Sequence, residues 1–301
     1  MSGVVVVGGV NVDLKARSTD PLVDGTSNPG HTVLSPGGVG RNVAENLARL
    51  GTPVALWSAV GDDPLGDEVL ATTAAAGVDV AGVRRAPAHP TGSYTAVLDS
   101  SGELAVAVSD MAAVEAIRPD DLPATMLDGA SLVVLDGNLL PDTVARVLEL
   151  AGDAAVPAVV EPVSVAKAAR LAPLLGPAVH AVTPNLDELA ALTGHVAPGT
   201  TDQAVARLHE AGVALVWVRL GREGSLLSGP DGTTRLRPVP VEVVDVTGAG
   251  DAMLAAFAHA LLGGAAPAEA AAYGHAAAAL TIASEHTVRP DLTDDLVRSL
   301  L

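Results

Sequence analysis

The sequence predicts an α/β fold: a doubly wound, mostly parallel sheet with helices on both faces, plus a small β-sheet lid. Three observations predict it. Short β-branched runs alternate with longer amphipathic segments, the pattern of strand–helix–strand units whose sheet is covered on both sides. Two excursions, residues 14–35 and 91–109, interrupt that alternation and suit a flap over a site. Glycine-rich turns open two apolar helical segments. The 301 residues suit one domain over 1–301, with the excursions as its lid.

The runs at 4–7, 54–57, 132–135, 156–160, 179–182 and 215–218 read as buried strands. Between them, Val144, Val147, Leu148 and Ala151 share one helical face, with Pro141 at its start and Gly152 at its end. The excursion 14–35 reads as irregular, with Pro21, Asn28, Pro29 and Gly30. The second reads as a hairpin, 94–98 and 104–108 joined by Asp99-Ser100-Ser101-Gly102. Met1-Ser2-Gly3 runs straight into apolar 4–7, without the basic segment and cleavage site of a signal peptide. The apolar stretch 252–266 contains His259 and stops at Pro267, short of the roughly 20 residues of a membrane span. A cytoplasmic protein is expected.

Composition removes whole classes of function. With no Cys there is no thiolate nucleophile, Cys-ligated metal or disulfide. A net charge of −18, from 17 basic and 35 acidic residues, disfavours nucleic acid and anionic membranes as partners. Only two lysines occur, Lys15 and Lys167, and neither adjoins a glycine-rich turn. No Gly-x-x-x-x-Gly-Lys-Ser/Thr is present. A nucleoside triphosphate bound here would need backbone N–H groups, arginines and metal ions to offset its charge.

Four motifs carry the chemistry. In Pro36-Gly37-Gly38-Val39-Gly40-Arg41-Asn42, glycines open a helix that Gly51 ends. The spacing fails as a dinucleotide fingerprint, because Val43 stands where a glycine belongs and no buried strand precedes it. Asn42, in the first turn, can offer its amide to a small polar ligand; the plainer reading is a structural glycine loop. In Asp245-Val246-Thr247-Gly248-Ala249-Gly250-Asp251, successive backbone N–H groups at a helix start can hold an anion. Asp251 beside them can take a proton from an attacking hydroxyl, or simply cap the helix. Asn185 and Glu188, three apart after the strand 179–182, can share a face of a starting helix. Leu220-Gly221-Arg222-Glu223-Gly224 follows the last of the strands and is otherwise a plain turn.

Taken in order, with Gly8-Gly9-Val10-Asn11-Val12-Asp13 at the N-terminus, these motifs resemble the ribokinase-like (phosphofructokinase-B-type) family of sugar and nucleoside kinases over nearly the whole chain. Ser27-Asn28-Pro29-Gly30, Arg41, Ser109-Asp110-Met111, Asp136-Gly137-Asn138, the segment from Glu161-Pro162 to Lys167, and Thr287-Val288-Arg289-Pro290-Asp291-Leu292 resemble its nucleoside kinases. The resemblance implies transfer of the ATP γ-phosphoryl to a ribose 5′-hydroxyl. Asp251 is then the general base, and Gly248, Ala249 and Gly250 form the anion hole. Asn11, Asp13, Gly38, Arg41 and Asn42 hold the nucleoside, with Asp13, Gly38 and Asn42 on the ribose diol. Asp110 and Asn138 are the expected acceptors to the base and Lys167 the donor, with Ser93 and Thr95 in reserve. Asn185, Glu188, Arg219, Gly221, Gly224 and His275 serve the nucleotide. Glu188 organises Mg²⁺ through water, and Asp245, Thr247, Ile282 and Glu285 surround K⁺. The resemblance also implies a homodimer formed through the lid. A kinase for ribose, a ketohexose, adenosine or another nucleoside, or a non-catalytic binding regulator, stands as the alternative.

Overall fold

A computed structural model describes residues 3–194 and 200–301. Met1 and Ser2, part of the N-terminal reading above, lie outside them. The chain starts with β1 (Gly3–Val7), leaves for β2 (Asn11–Ser18) and β3 (Gly30–Gly37), and returns through α1 (Val39–Arg49) to β4 (Val54–Val60), α2 (Pro64–Ala75) and β5 (Asp79–Arg85). It leaves again for β6 (Ser93–Leu98) and β7 (Leu104–Asp110), and α3 (Ala112–Glu115) leads back to β8 (Ala130–Asp136). Then follow α4 (Pro141–Asp153), β9 (Ala158–Glu161), α5 (Val165–Leu171), β10 (Val179–Val182), α6 (Leu186–Thr193), α7 (Thr201–Glu210) and β11 (Leu215–Arg219). The hairpin β12 (Ser225–Gly229) and β13 (Gly232–Leu236) precedes α8 (Ala249–Leu262), α9 (Pro267–Ile282) and α10 (Asp294–Arg298).

Nine strands form one sheet, in the order β13-β12-β11-β10-β9-β8-β1-β4-β5, parallel except for β12 and β13. Burial on both faces explains the unbroken valine run of β1. Val5 and Val7 enter the core under α4, while Val4 and Val6 enter the core that α1 and α8 cover. Pro157, which cannot donate to a ladder, delays β9 to Ala158, two residues later than the apolar run suggests. The edge strands β5 and β13 carry charged or polar positions and do not show as buried runs. Among the described residues, no helix is long and apolar enough to cross a membrane.

The other four strands form a separate sheet, ordered β3-β2-β6-β7. The expectation of an irregular 14–35 is corrected here: β2 and β3 pair in antiparallel register from Asn11↔Gly37 to Ser18↔Gly30. The prolines and glycine that suggested a loop lie between these strands or at their ends, and Pro36 is tolerated because β3 is an edge strand. In β2 successive side chains alternate between faces, so Asn11, Asp13, Lys15 and Arg17 share one face, and Leu14 and Ala16 the other.

The order of the large sheet reverses between β1 and β8, because the chain winds from β1 toward β5 on one side and from β8 toward β11 on the other. The crevice beyond the carboxyl ends at such a reversal is where open α/β sheets bind ligands. Gly8–Asn11, Asp136–Asn138, Glu161, Asn185 and Arg219 all stand at that end.

Candidate active site

At the reversal, two loops close on each other by backbone contact. A Cβ on Gly40 would lie 2.8 Å from the Gly8 carbonyl carbon, and Gly38, at φ +98°, has the Gly9 carbonyl in the place of a side chain. The Arg41 N–H, which α1 itself cannot satisfy, donates to the Gly9 carbonyl at 3.0 Å. The close approach at Gly38, a residue expected on the ribose, packs the loop after β1 on α1. Arg41, expected on the nucleoside, is corrected. It is 2% exposed, and its guanidinium donates to the Gly37 carbonyl at 3.2 Å, to Glu45 and to Asn42 Oδ1. It orients Asn42 from below and does not face a substrate.

Asn42 uses its other end on α8: Nδ2 donates to Asp251 Oδ2 at 2.7 Å. Two motifs 209 residues apart thus meet at one carboxylate. The pKa of Asp251 is pushed up to about 7. Burial is the largest cause and the Glu161 carboxylate adds to it, while the Asn42 hydrogen bond and the Arg219 charge oppose it. On β2, Asn11 Nδ2 donates to Asp13 Oδ1 at 2.7 Å, and burial raises the Asp13 pKa above the usual carboxylate value.

The turn before Asp251 is shaped by Gly248, at φ +79° with the Thr287 carbonyl against it. No side chain caps α8. The Gly250 and Asp251 N–H groups lie in its first turn, beyond reach of the helix's own carbonyls. Ala249 differs from expectation, since its N–H turns back to the Val246 carbonyl at 3.3 Å. Arg219 Nη1 sits where a Cβ on Gly250 would be, at 2.5 Å, and the Arg219 Nε is buried with no hydrogen-bond partner.

Asn185 and Glu188 are a reciprocal N-terminal cap: the Glu188 N–H donates to Asn185 Oδ1 at 2.9 Å, and the Asn185 N–H to Glu188 Oε2 at 2.8 Å. Asn185 is thus the cap itself, not a residue on the helix face. Arg219 Nη2 bridges Glu161 Oε1 at 2.7 Å and Glu188 Oε2 at 3.1 Å. Burial and the neighbouring Glu161 raise the Glu188 pKa. Beside this cluster opens a cleft of about 440 Å³, walled mainly by apolar side chains, whose lining includes Arg219, Gly221, Gly224, Val243, Gly250 and His275. Its size and walls suit a nucleobase, and the orphaned Arg219 nitrogen suits a phosphate. The Glu161–Glu188 pair is oxygen chemistry of the kind Mg²⁺ takes when it arrives on phosphates. Burial lowers the His275 pKa, and its Nε2 lies 2.7 Å from Ser225 Oγ.

At the β8 end, Asp136 accepts the Gly9 and Asn138 N–H groups, both at 2.8 Å. Lys167 donates to Asn138 Oδ1, so the expected donor and the expected acceptor adjoin, each the other's partner. Asp110 Oδ1 instead accepts the Ala112 N–H at 3.0 Å, a local turn contact just before α3. The register Val12↔Ser93↔Asp110 puts Ser93 and Asp110 on the face opposite Asp13, and Thr95 with them; Tyr94 and Ser109 pair with Asp13 on its own face. Sequence reading singled out the segments of Ser109, Asp136 and Glu161 but gave those residues no role of their own, and it missed Tyr94 and the reach of Lys15. The strict alternation of β2 was the available signal for Lys15.

Of the residues expected around K⁺, three have oxygens with partners within the chain. Asp245 Oδ2 and Thr247 Oγ1 are held by Lys15 Nζ at 2.9 and 3.1 Å. The Ile282 carbonyl accepts the Val244 N–H at 2.7 Å and the Asp245 N–H at 3.3 Å, and Glu285 is exposed.

A buried carboxylate at an uncapped helix start, with an apolar cleft on one side and the polar side chains of Asn11, Asp13 and Asn42 on the other, suits a small-molecule kinase. The chain belongs to the pfkB family of carbohydrate kinases, whose profile matches residues 1–294. It is 35% identical to a pseudouridine kinase of Escherichia coli, over 99% of this chain and 96% of that protein. It is 29% identical to a guanosine-inosine kinase of Exiguobacterium acetylicum, over 98% of this chain and all of that one. A ribokinase of Arabidopsis thaliana solved with ribose and ATP superposes with a TM-score of 0.86 at 26% identity, covering 100% of this chain and 99% of that chain.

Proposed function

We propose that this protein transfers the γ-phosphoryl of ATP to the 5′-hydroxyl of pseudouridine, giving pseudouridine 5′-phosphate and ADP. The observation that carries the kinase reading is Asp251, a carboxylate with pKa about 7 at the uncapped start of α8. Its basicity suits removal of a hydroxyl proton near neutral pH. Asn42 aims it, and Arg41 holds Asn42. Asp13 and Asn11 accept and donate to the ribose hydroxyls. The Gly250 and Asp251 N–H groups, with Arg219 beside them, meet the charge that spreads as the phosphoryl moves. Glu188 would hold Mg²⁺ through water, and the ion when bound would supply charge neutralisation at the phosphates. His275, Gly221 and Gly224 line the cleft for the adenosine half.

Pseudouridine as the acceptor is supported by the likeness to the Escherichia coli enzyme over nearly the whole chain. It is supported too by the Asn138–Lys167 pair at the sheet reversal, a donor and acceptor set placed beside the ribose residues. Tyr94 and Ser109 wall the same side from the small sheet. That sheet's other face carries exposed Leu34, Val106 and Val108, a surface that suits a second copy in a homodimer. A cytoplasmic location belongs to the same reading, since ATP is abundant there.

The test is a rate comparison with ATP and Mg²⁺ on pseudouridine, uridine, guanosine, inosine, adenosine, ribose and fructose. The highest kcat/KM on pseudouridine upholds the reading. A higher value on guanosine or inosine would shift the acceptor to purine nucleosides, the second reading favoured by the guanosine-inosine kinase relative. No phosphorylation of any acceptor would sink it.

A further inference from the structure

The loop before the anion-hole turn already holds a cation, and it is covalently part of the chain. Lys15 is one of only two lysines in the sequence. It stands on β2 of the small sheet, yet its ammonium reaches 230 residues along the chain to Asp245. Asp245 uses its two oxygens for different purposes. Oδ2 takes the ammonium at 2.9 Å, while Oδ1 accepts the Thr247 N–H at 2.8 Å and the Thr247 hydroxyl at 2.7 Å. The Thr247 hydroxyl also receives Lys15 at 3.1 Å. Lys15, Asp245 and Thr247 therefore form a closed ring of hydrogen bonds whose next residue is Gly248, the left-handed pivot of the turn.

A potassium ion and an ammonium group carry the same charge at nearly the same radius, and both seek carboxylate, hydroxyl and carbonyl oxygens. Here the carboxylate and the hydroxyl face the ammonium, and the nearby Ile282 carbonyl is taken by two backbone N–H groups. An ordinary exposed ion pair is worth little. This one is 33% exposed at both ends and joins two elements whose relative placement sets the site. Asp13, two residues before Lys15 on the same face, is the ribose residue of the proposed function, on which this inference rests for its rate measurement.

We propose that the Lys15 ammonium is the resident monovalent cation of the anion-hole loop, so that the enzyme needs no free K⁺, and that Lys15 is a positioning residue tying the small sheet to the turn at Gly248. The test compares the wild type with Lys15→Ala and Lys15→Arg in potassium chloride and in tetramethylammonium chloride at equal ionic strength, which holds screening constant. Two quantities are read: kcat with ATP and a nucleoside, and the thermal unfolding midpoint without any acceptor. Wild-type rates should agree within about twofold in the two salts, while Lys15→Ala should lose about tenfold or more in tetramethylammonium and recover much of it in potassium. Potassium should also raise the unfolding midpoint of Lys15→Ala and leave the wild type unmoved. Lys15→Arg should retain activity in both salts.

A wild type activated several-fold by potassium would overturn the proposal. So would a Lys15→Ala enzyme unaffected in both salts, or one whose loss no small cation repairs. If no acceptor is phosphorylated at all, the proposed function falls, yet the unfolding midpoints still decide whether potassium replaces the missing ammonium.

Discussion

At the start of α1 the room left by Gly38 is filled by the Gly9 carbonyl, and the first-turn N–H of Arg41 is consumed by the same oxygen. At the start of α8 the atom in the place of a Gly250 side chain is the charged tip of Arg219, a side chain and not backbone, and no side chain caps the helix. Both starts look alike in sequence: glycines, then an apolar helix with a polar residue in its first turn. The first set of glycines lets backbone pack on backbone. The second leaves donors unspent. A glycine cluster thus marks close approach, and only the occupant of the freed space tells packing from binding.

The sharpest break in this comparison comes from the first-turn residues. Asp251→Asn should lower kcat by on the order of 10²–10⁴-fold with the fold intact. The carboxyl's folded pKa lies above its unfolded value, so it binds protons more tightly in the native state. Stability is therefore lost as pH rises from about 4 toward 7. The Asn variant should melt higher than wild type at pH 8, with the gap closing near pH 4. Equal melting points at pH 8 would show that Asp251 is not desolvated.

Exchanging the glycines separates packing from binding next. Gly38→Ala meets a positive φ and a fixed carbonyl, so it should destabilise by about 1–3 kcal/mol in denaturant titration. Gly250→Ala has no positive φ and meets the Arg219 tip, a side chain that its ion pairs to Glu161 and Glu188 hold, so it should cost less stability than Gly38→Ala while kcat/KM for ATP falls about tenfold or more. If the two variants behaved alike in both measurements, the distinction between the helix starts would fail.

The smallest effect tests the contact joining the two helices. Asp251 must be ionised to take a proton, so kcat/KM should rise with pH through about 7 and level off above it. Asn42→Ala removes a hydrogen bond that favours the ionised form, and should move that rise upward by about half to one unit. An unshifted profile with weaker nucleoside binding would leave Asn42 only a ribose role.

Much of this was legible in the chain. The β-branched runs place the central strands because those strands are buried on both faces, and β1 shows this most simply. Asp251 and its glycines point to the proposed anion site because few structural needs put a carboxylate beside two glycines at a helix start. Side-chain partners across long separations were not legible. Nothing near Lys15 in sequence mentions Asp245, and nothing near Arg41 shows that its guanidinium is spent on Gly37, Asn42 and Glu45. Ser93, Thr95 and Asp110 looked suitable by residue type, but strand register decided their face, and register depends on pairing across the sheet.

Aromatic scarcity has an optical consequence. The sequence contains two tryptophans, and Trp217 is almost fully buried, its ring centroid 4.6 Å from that of Phe257 on α8. Its indole N–H donates to Ser225 Oγ at 2.8 Å, and the same hydroxyl lies 2.7 Å from Nε2 of His275, which lines the cleft proposed for the nucleotide. Light absorbed at Trp217 is therefore emitted one hydroxyl away from the cleft wall. In a Trp57→Phe background the remaining emission should change in intensity or wavelength as the cleft fills, giving a label-free titration of nucleotide against a nearly dark protein.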